Sequence, residues 1–450
     1  MATQLTQMLE TIEELFNSKY VNDIDFRMNL IYTVGFFFVI ESYLRLRKRF
    51  ALRKGYIPEL KGIVTKDEYQ KSYDYNMYKN GYGFLTDTYS TITSLVVIMY
   101  WPTIWEKSSE LMPGNTLAQV LAFSLYSSVI EQLVGLPVAL LITFHIEEKF
   151  GFNKHTIGSF AGDTVKGFLM NQVIGGLLNV GMLYIIMWAG PNAWFYLWVF
   201  ITIFALVMNT LYPIVFAPLF NKFTPLEDGE LKTGIDELIG QTGLDCKNAF
   251  MVDGSKQSSH SNAYVAGFFC SKRIVIYDTL VKDLNDDVER IKAVVGHEIG
   301  HSIMNHNWML LGMSMINFFL MFFSFGFMQN VPSVVTSFGF TDDLTNENYA
   351  TTFLKLHCFL AVYSMAIMPT WSVIQNFFVR QLEFSADRYA VYLGYDINSS
   401  LKLISKANKS DFNPDWLHSM YHHSHPTLLE RLAAADEYKE KLKMEQKKKK

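Results

Sequence analysis

The chain has 450 residues, of which 50% are hydrophobic and 15% aromatic, and its formal net charge at pH 7 is −4. With a positive mean hydropathy, this composition is unusual for a soluble enzyme of this size and indicates insertion into a membrane. Without a basic, aromatic-rich patch, nothing indicates nucleic-acid binding. Three cysteines lack paired spacing, so we predict structural roles rather than a disulfide framework for Cys246, Cys270 and Cys358.

Long apolar runs predict a mainly α-helical, polytopic membrane protein. About 20 residues of helix cross a bilayer, and we expect about seven such spans. They are centred on residues 31–44, 85–104, 120–144, 170–189, 194–215, 308–328 and 353–378. The first is the weakest, because Glu41 shortens its apolar length, and an interfacial or tilted helix is the alternative.

The distribution of basic residues predicts the orientation of these spans. The acidic N-terminus lacks the basic start of a cleavable signal peptide, so the first span should act as its own signal. Residues 45–82 include ten Lys and Arg, whereas 190–193 and 330–352 include none. Because cytosolic loops are enriched in positive residues, we place the N-terminus outside the cytosol and the C-terminus within it.

These features divide the chain into four segments. We predict membrane helices 1 to 5 in residues 1–220, a cytosolic α+β insert in 221–307, helices 6 and 7 in 308–380, and a cytosolic catalytic segment with a basic tail in 381–450. Within the insert, residues 273–277 are typical of a short strand. Such an edge, preceded by Asn262, Ala263 and Tyr264, could hold an extended peptide; an ordinary hairpin without function is the alternative.

The insert ends in the most informative motif, HEIGH at residues 297–301. Two imidazoles four residues apart share one helix face and can bind one metal ion, here His297 and His301. Glu298 would lie beside an open coordination position, where it can take a proton from an attacking water. The spacing predicts a metalloprotease with one Zn²⁺ per chain; a chance match, or histidines that only satisfy neighbouring hydrogen bonds, are the alternatives.

The third zinc ligand must come from elsewhere in the chain. The longer motif HExxHxxGxxH would require a glycine and a histidine at the positions that Met304 and Asn307 occupy. We predict Glu383 as the third ligand. Asp387, one helical turn later, could accept a hydrogen bond from a ligand histidine. An ordinary charged helix surface is the alternative.

Two features near the C-terminus carry open alternatives. His425 and Arg431 could hold the oxyanion of a tetrahedral intermediate, or they could be a polar helix cap and a surface arginine. The lysines at 447–450 satisfy a dilysine retrieval signal, with a solvated or lipid-binding basic tail as the alternative.

Several motifs together resemble the type I CAAX prenyl endopeptidases, zinc metalloproteases of the endoplasmic reticulum that process farnesylated proteins. They are FGFNK at 150–154, APLFNKFTPLEDGEL at 217–231, HSNAY at 260–264, HEIGH at 297–301, EFSAD at 383–387 and HPTLLER at 425–431. The matches recur over roughly residues 130–435.

The resemblance implies a barrel of seven helices around a water-filled intramembrane chamber, with the zinc site beneath a cytosolic cap. It assigns the zinc ligands to His297, His301 and Glu383, and the catalytic base to Glu298. It also gives Asp387 a supporting role and transition-state contacts to His425 and Arg431. Polar residues within predicted spans are compatible with a chamber or with helix packing: Glu131, Asn171, Gln172, Asn179 and Asn209.

The resulting hypothesis is a membrane zinc endopeptidase that removes the C-terminal tripeptide from prenylated CAAX proteins. The expected partners are that substrate and the lipid bilayer. The expected location is the endoplasmic reticulum membrane, with a lumenal N-terminus and a cytosolic C-terminus, and also the nuclear envelope. The alternatives are a general quality-control membrane protease and a seven-helix receptor or transporter with a structural metal.

Overall fold

The computed structural model describes residues 23–246, 248–267, 272–341 and 349–449. The predicted orientation of the N-terminus, the assignment of Cys270 and the last lysine of the tail therefore lie outside the described residues. Cys246 and Cys358 are both buried free thiols.

The first half of the described chain is helical. Its helices are α1 Phe26–Arg53, α2 Lys66–Met99, α3 Trp101–Leu111, α4 Thr116–Leu140, α5 Ile157–Ala189 and α6 Ala193–Leu211. Helices α2 and α5 begin with a reciprocal cap. At the start of α2, Thr65 accepts from the amide of Glu68, whose carboxylate accepts from the amide of Thr65. Such capping boxes satisfy amides that have no partner within the helix.

The second half combines helices with a small sheet. The strands are β1 Phe223–Pro225, β2 Asn248–Val252, β3 Ala263–Ala266 and β4 Arg273–Tyr277. The helices are α7 Glu230–Thr242, α8 Asp278–Asp283, α9 Val288–Ile303, α10 His306–Met328, α11 Ser333–Thr336, α12 Tyr349–Val362, α13 Met368–Tyr392, α14 Ile397–Ala407, α15 Trp416–His422 and α16 Leu428–Lys449.

The prediction of seven separate spans needs correction. Among the described residues, four helical segments are long and apolar enough to cross a membrane: Thr116–Glu147, Ile157–Leu219, His306–Met328 and Tyr349–Tyr392. The second contains two predicted spans, because α5 continues through a 3-10 turn at Gly190–Asn192 into α6. The first predicted span lies on α1, and the second lies on α2 and the start of α3; α1 and α2 include many polar and charged residues.

Two polar residues within the spans join neighbouring helices. The amide of Gln172 donates to Ser128 Oγ at 2.9 Å, and that of Asn179 donates to Ser124 Oγ at 2.9 Å. Both contacts link α5 to α4. They support helix packing rather than exposure to a chamber for these two side chains.

Buried apolar clusters lie at both ends of α1. The first includes Leu30 near the start of α1, together with Phe123 and Phe325. The second includes Leu60, which follows α1, and Ala390 of α13. A helix of 28 residues is on the order of 40 Å long, so these two clusters are separate cores.

The sheet has the strand order β1-β2-β4-β3, with β2 and β4 parallel and the other pairs antiparallel. The predicted strand at 273–277 is confirmed as β4, but it lies inside the sheet, with β3 at the adjacent edge and β1 at the other. Ile274 and Ile276 of β4 pack in one buried cluster with Ile299 of α9. This packing aligns the helix that carries the HEIGH motif with the edge strand.

Candidate metal centre

Helices α9 and α13 form the framework of the site. A Cβ atom built on Gly300, within the HEIGH motif, would lie 3.1 Å from the Cβ of Tyr389. Only a residue without a side chain lets the two helices approach this closely without displacing Tyr389. The close approach places His301 of α9 opposite Glu383 of α13.

The three predicted ligands converge. The Nε2 atoms of His297 and His301 are 3.2 Å apart. Glu383 Oε2 lies 3.5 Å from His297 Nε2, and Oε1 lies 3.3 Å from His301 Nε2. Among the described residues, this is the group of His, Cys, Asp and Glu side chains with the spacing of a metal site.

These separations fit a zinc ion. Bonds of about 2.0–2.1 Å at tetrahedral angles place ligand atoms about 3.3 Å apart. Glu383 is 4% exposed, and its Oε2 atom has no hydrogen-bond donor within the described chain. A buried carboxylate oxygen without a donor is costly unless a cation occupies the space beside it.

The electrostatics favour a positive charge at this centre. Burial alone would lower the pKa of His297, but its contacts with Asp387 and Glu383 raise it to about 9. Burial raises the pKa of Glu298, although the neighbouring histidines oppose this. The carboxylates around the imidazoles thus stabilise a cation, as a metal-binding centre requires.

Asp387 lies where the sequence predicted, beside a candidate ligand. Its Oδ1 atom is 2.9 Å from His297 Nδ1. With Nε2 of His297 directed at the cluster, Nδ1 is the ring nitrogen that faces this carboxylate. This contact orients the ring of His297.

Sequence reasoning missed a residue with the same relation to the other histidine. His306 is 2% exposed, and its Nδ1 atom lies 2.9 Å from His301 Nδ1. Its Nε2 atom lies 3.1 Å from Ser385 Oγ. Residues five apart do not share a helix face, but Asn305 adopts a left-handed conformation (φ 59°) that ends α9 and turns His306 back. The sequence signal that could have predicted this contact is the Asn305-His306 pair that follows the HEIGH motif.

The cluster opens into a cavity of about 600 Å³. Glu298, His425 and Arg431 line it beside the cluster, and Asn262 and Ala263 line it from the edge strand. Tyr264 differs: its side chain lines a separate cavity of about 440 Å³, because successive strand residues face opposite sides. Any contact of Tyr264 with a peptide in the first cavity would be made by its backbone.

The two C-terminal candidates both reach the cluster. His425 Nε2 lies 3.4 Å from Glu383 Oε2, with the side chain 61% exposed. Arg431 is 12% exposed, and its Nη2 atom is 3.9 Å from Glu383 Oε2. Arg431 is therefore not the surface arginine of the alternative interpretation.

Two family models match consecutive parts of the chain. Residues 47–222 match the CAAX prenyl protease N-terminal model with five membrane helices, and residues 225–439 match peptidase family M48. The CAAX prenyl protease 1 homolog of Arabidopsis thaliana is 35% identical over 420 residues, which cover 90% of this chain and 96% of the relative. The chain belongs to the CAAX prenyl protease family.

Other members of the CAAX prenyl protease family show similar agreement. CAAX prenyl protease 1 of Saccharomyces cerevisiae is 35% identical over 432 residues, covering 90% of this chain and 94% of the relative. The human homolog is 34% identical over 425 residues, covering 84% and 88%. The crystal structure of S. mikatae Ste24p superposes with a TM-score of 0.84 at 34% identity, covering 92% of this chain and 99% of that chain.

Membership in the CAAX prenyl protease family has two direct consequences. The chain is a multi-pass membrane protein of the M48 metallopeptidases, a family that implies a bound metal. All candidate site residues from Asn262 to Arg431 lie within the matched peptidase segment.

Proposed function

We propose that the protein is a zinc-dependent membrane endopeptidase that removes the C-terminal tripeptide from prenylated CAAX proteins. The observation that carries the proposal is the convergence of His297, His301 and Glu383, at a cavity that His297 and Glu383 line together with Glu298. The family and the names of its members, CAAX prenyl protease 1 and its homologs, support the substrate class.

His297, His301 and Glu383 would hold one zinc ion. Zinc bound there would supply Lewis-acid chemistry, polarising the scissile carbonyl and acidifying water. Asp387 and His306 would keep the two imidazole rings in the tautomer that directs Nε2 at the centre.

Glu298 would act as the catalytic base. It lines the cavity next to the cluster, so its carboxylate can take a proton from the attacking water. The same group can then deliver the proton to the leaving amine, which restores the carboxylate for the next turnover.

His425 and Arg431 would stabilise the charge that develops on the carbonyl oxygen. Both line the cavity close to Glu383. Donors aimed at the developing charge act strongly in a site that excludes bulk water.

The substrate backbone would lie along Asn262, Ala263 and Tyr264. Edge strand β3 pairs with β4 on one side, and within the described residues no strand pairs with its other side, where an extended peptide could add. The prenyl group would occupy an apolar part of a chamber enclosed by the membrane helices. We further propose residence in the endoplasmic reticulum membrane and the nuclear envelope, with a lumenal N-terminus, a cytosolic 221–307 insert and a cytosolic C-terminus.

The test compares a farnesylated CAAX peptide with its unprenylated twin, using the purified protein with and without a zinc chelator. We expect cleavage of the prenylated peptide at one bond, loss of activity with the chelator, and recovery when zinc is restored. Equal cleavage of both peptides would favour a general quality-control protease. Bound metal without any peptidase activity would favour a receptor or transporter.

A further inference from the structure

The cavity at the metal centre has a second polar region, formed by elements outside the peptidase motifs. Lys48 of α1 and Asp411, in the loop after α14, both line it. Its walls therefore join α9 and α13 to the N-terminal helices. Nothing in the mechanism above uses this region.

Lys48 differs from Arg45 and Arg47 on α1, which both form ion pairs. Arg45 forms an ion pair with Asp87, and Arg47 forms a bidentate pair with Asp415. Within the described chain, no carboxylate pairs with Lys48 and no acceptor takes a hydrogen bond from it. An unpaired ammonium group in a cavity wall is unfavourable unless an anion joins it.

Asp411 provides a second free polar atom in the same region. Its Oδ1 atom accepts a hydrogen bond from the amide of Asn413 at 3.2 Å, whereas its buried Oδ2 atom has no partner in the described part of the chain. Burial raises the pKa of Asp411, although the charge of Lys48 opposes this. When protonated, Asp411 can donate a hydrogen bond to an incoming anion.

The loop that carries Asp411 is held between the edge strand and α2. Asn408 Oδ1 accepts from the amide of Ser261 at 3.1 Å, directly before the strand residues that line the cavity. The carbonyl of Lys409 accepts from Asn76 Nδ2 at 2.9 Å. The region is therefore built into the fold and connects with the proposed path of the substrate.

The chemistry of the substrate supplies the missing anion. A peptide cleaved three residues from its end has a free carboxylate about 10 Å beyond the scissile bond when extended. A cation in the same cavity as the catalytic centre can bind this carboxylate and thereby select the bond. Burial lowers the pKa of Lys48, and the charge of Asp411 opposes this; an arriving carboxylate would further stabilise the ammonium form.

We propose that Lys48, assisted by Asp411, binds the C-terminal carboxylate of the substrate and so determines that three residues are removed. The inference rests on the proposed function. It adds a specificity-determining site on α1, outside the matched peptidase segment.

The experiment uses two farnesylated CAAX peptides that differ only in a C-terminal carboxylate or carboxamide. Kinetics are measured for the wild type, Lys48→Met, Lys48→Arg and the control Arg49→Met. Arg49 is exposed on the same helix and does not line the cavity. Metal content and thermal unfolding confirm that each variant is folded.

For the wild type, amidation should raise KM by roughly 10- to 100-fold, because a charge-assisted contact is lost. Lys48→Met should show, for both peptides, the KM that the wild type shows for the amidated peptide. Lys48→Arg should retain most of the preference for the peptide with the free carboxylate. Arg49→Met should behave as the wild type.

Three results would overturn the proposal. Equal KM values for the two peptides with the wild-type protein would do so without any variant. An undiminished preference in Lys48→Met, or in Lys48→Gln if Lys48→Met does not fold, would remove Lys48 from the site. If the wild type cleaves neither peptide, the proposed function fails and the carboxylate site fails with it. The first two results reject the carboxylate site alone, because the peptides are still cleaved.

Discussion

Arg431 of α16 donates two hydrogen bonds to Asp387 of α13, from Nε to Oδ2 at 2.8 Å and from Nη2 to Oδ1 at 2.6 Å. Asp387 is 1% exposed and lies 2.9 Å from His297 Nδ1. A chain of contacts therefore runs from the C-terminal helix through a buried carboxylate to a candidate zinc ligand. Arg431 is placed both to hold this carboxylate and to face the cavity.

Arg431→Lys should lower kcat by roughly 10²-fold or more with KM close to wild type, because lysine keeps the charge but loses the planar fork of donors. Asp387 would lose one of its donors, so a loss of about 1–3 kcal/mol in the free energy of unfolding is also expected. Kinetics, metal analysis and thermal unfolding measure the three effects.

Asp387→Asn separates the two roles of Arg431. If Arg431 acts through Asp387 and His297, both variants should weaken metal binding together. If Arg431 contacts the transition state, Arg431→Lys should retain full metal content while kcat falls. An unchanged kcat in folded, metal-loaded Arg431→Lys would contradict both roles.

Glu298→Ala should retain zinc but lose turnover by about 10²- to 10⁴-fold, because it deletes the proposed base and leaves all three ligands in place. Metal content and peptidase rates are compared with Glu289→Ala, which removes an exposed carboxylate from the same helix. Loss of zinc together with activity would show that Glu298 contributes to the metal site itself.

Glu383→Ala should lose metal affinity, since two histidines leave zinc short of its usual three protein ligands. Zinc stoichiometry of the purified protein is the measurement, and Arg388→Ala, an exposed position on α13, is the control. Normal zinc content and activity in a folded Glu383→Ala variant would exclude Glu383 as a ligand.

His306→Phe should weaken zinc binding by roughly 10- to 100-fold, because His301 loses the group that orients its ring. The measurement is zinc retention against a graded series of chelator concentrations. Asn307→Ala, one residue further along α10, should match the wild type. Equal retention in all three proteins would mean that His306 only fills space.

Local patterns in the sequence predicted which candidate ligands the fold brings together. The spacing within HEIGH requires only a helix to bring His297 and His301 together, and Glu383 and Asp387 lie one turn apart for the same reason. The helical class and the strand at 273–277 also depend on short-range periodicity, which each segment carries in its own residues.

The number of spans was predicted less well. Apolar composition continues across Gly190–Asn192, so hydropathy alone cannot tell two spans from one long helical segment. For α1 and α2, hydropathy scores each charged residue separately. It cannot take into account that Arg45 forms an ion pair with Asp87 in the folded chain.

The sequence by itself determined the membrane character, the helix of the HEIGH motif and the candidate ligands, because these follow from composition and from spacings of four residues. Only the tertiary structure decided that β3 forms the sheet edge, that His306 turns back onto His301, and that Lys48 shares a cavity with Glu298. These relations depend on how helices and strands pack across long sequence separations. No local periodicity encodes such contacts, so they become visible only when the chain is folded.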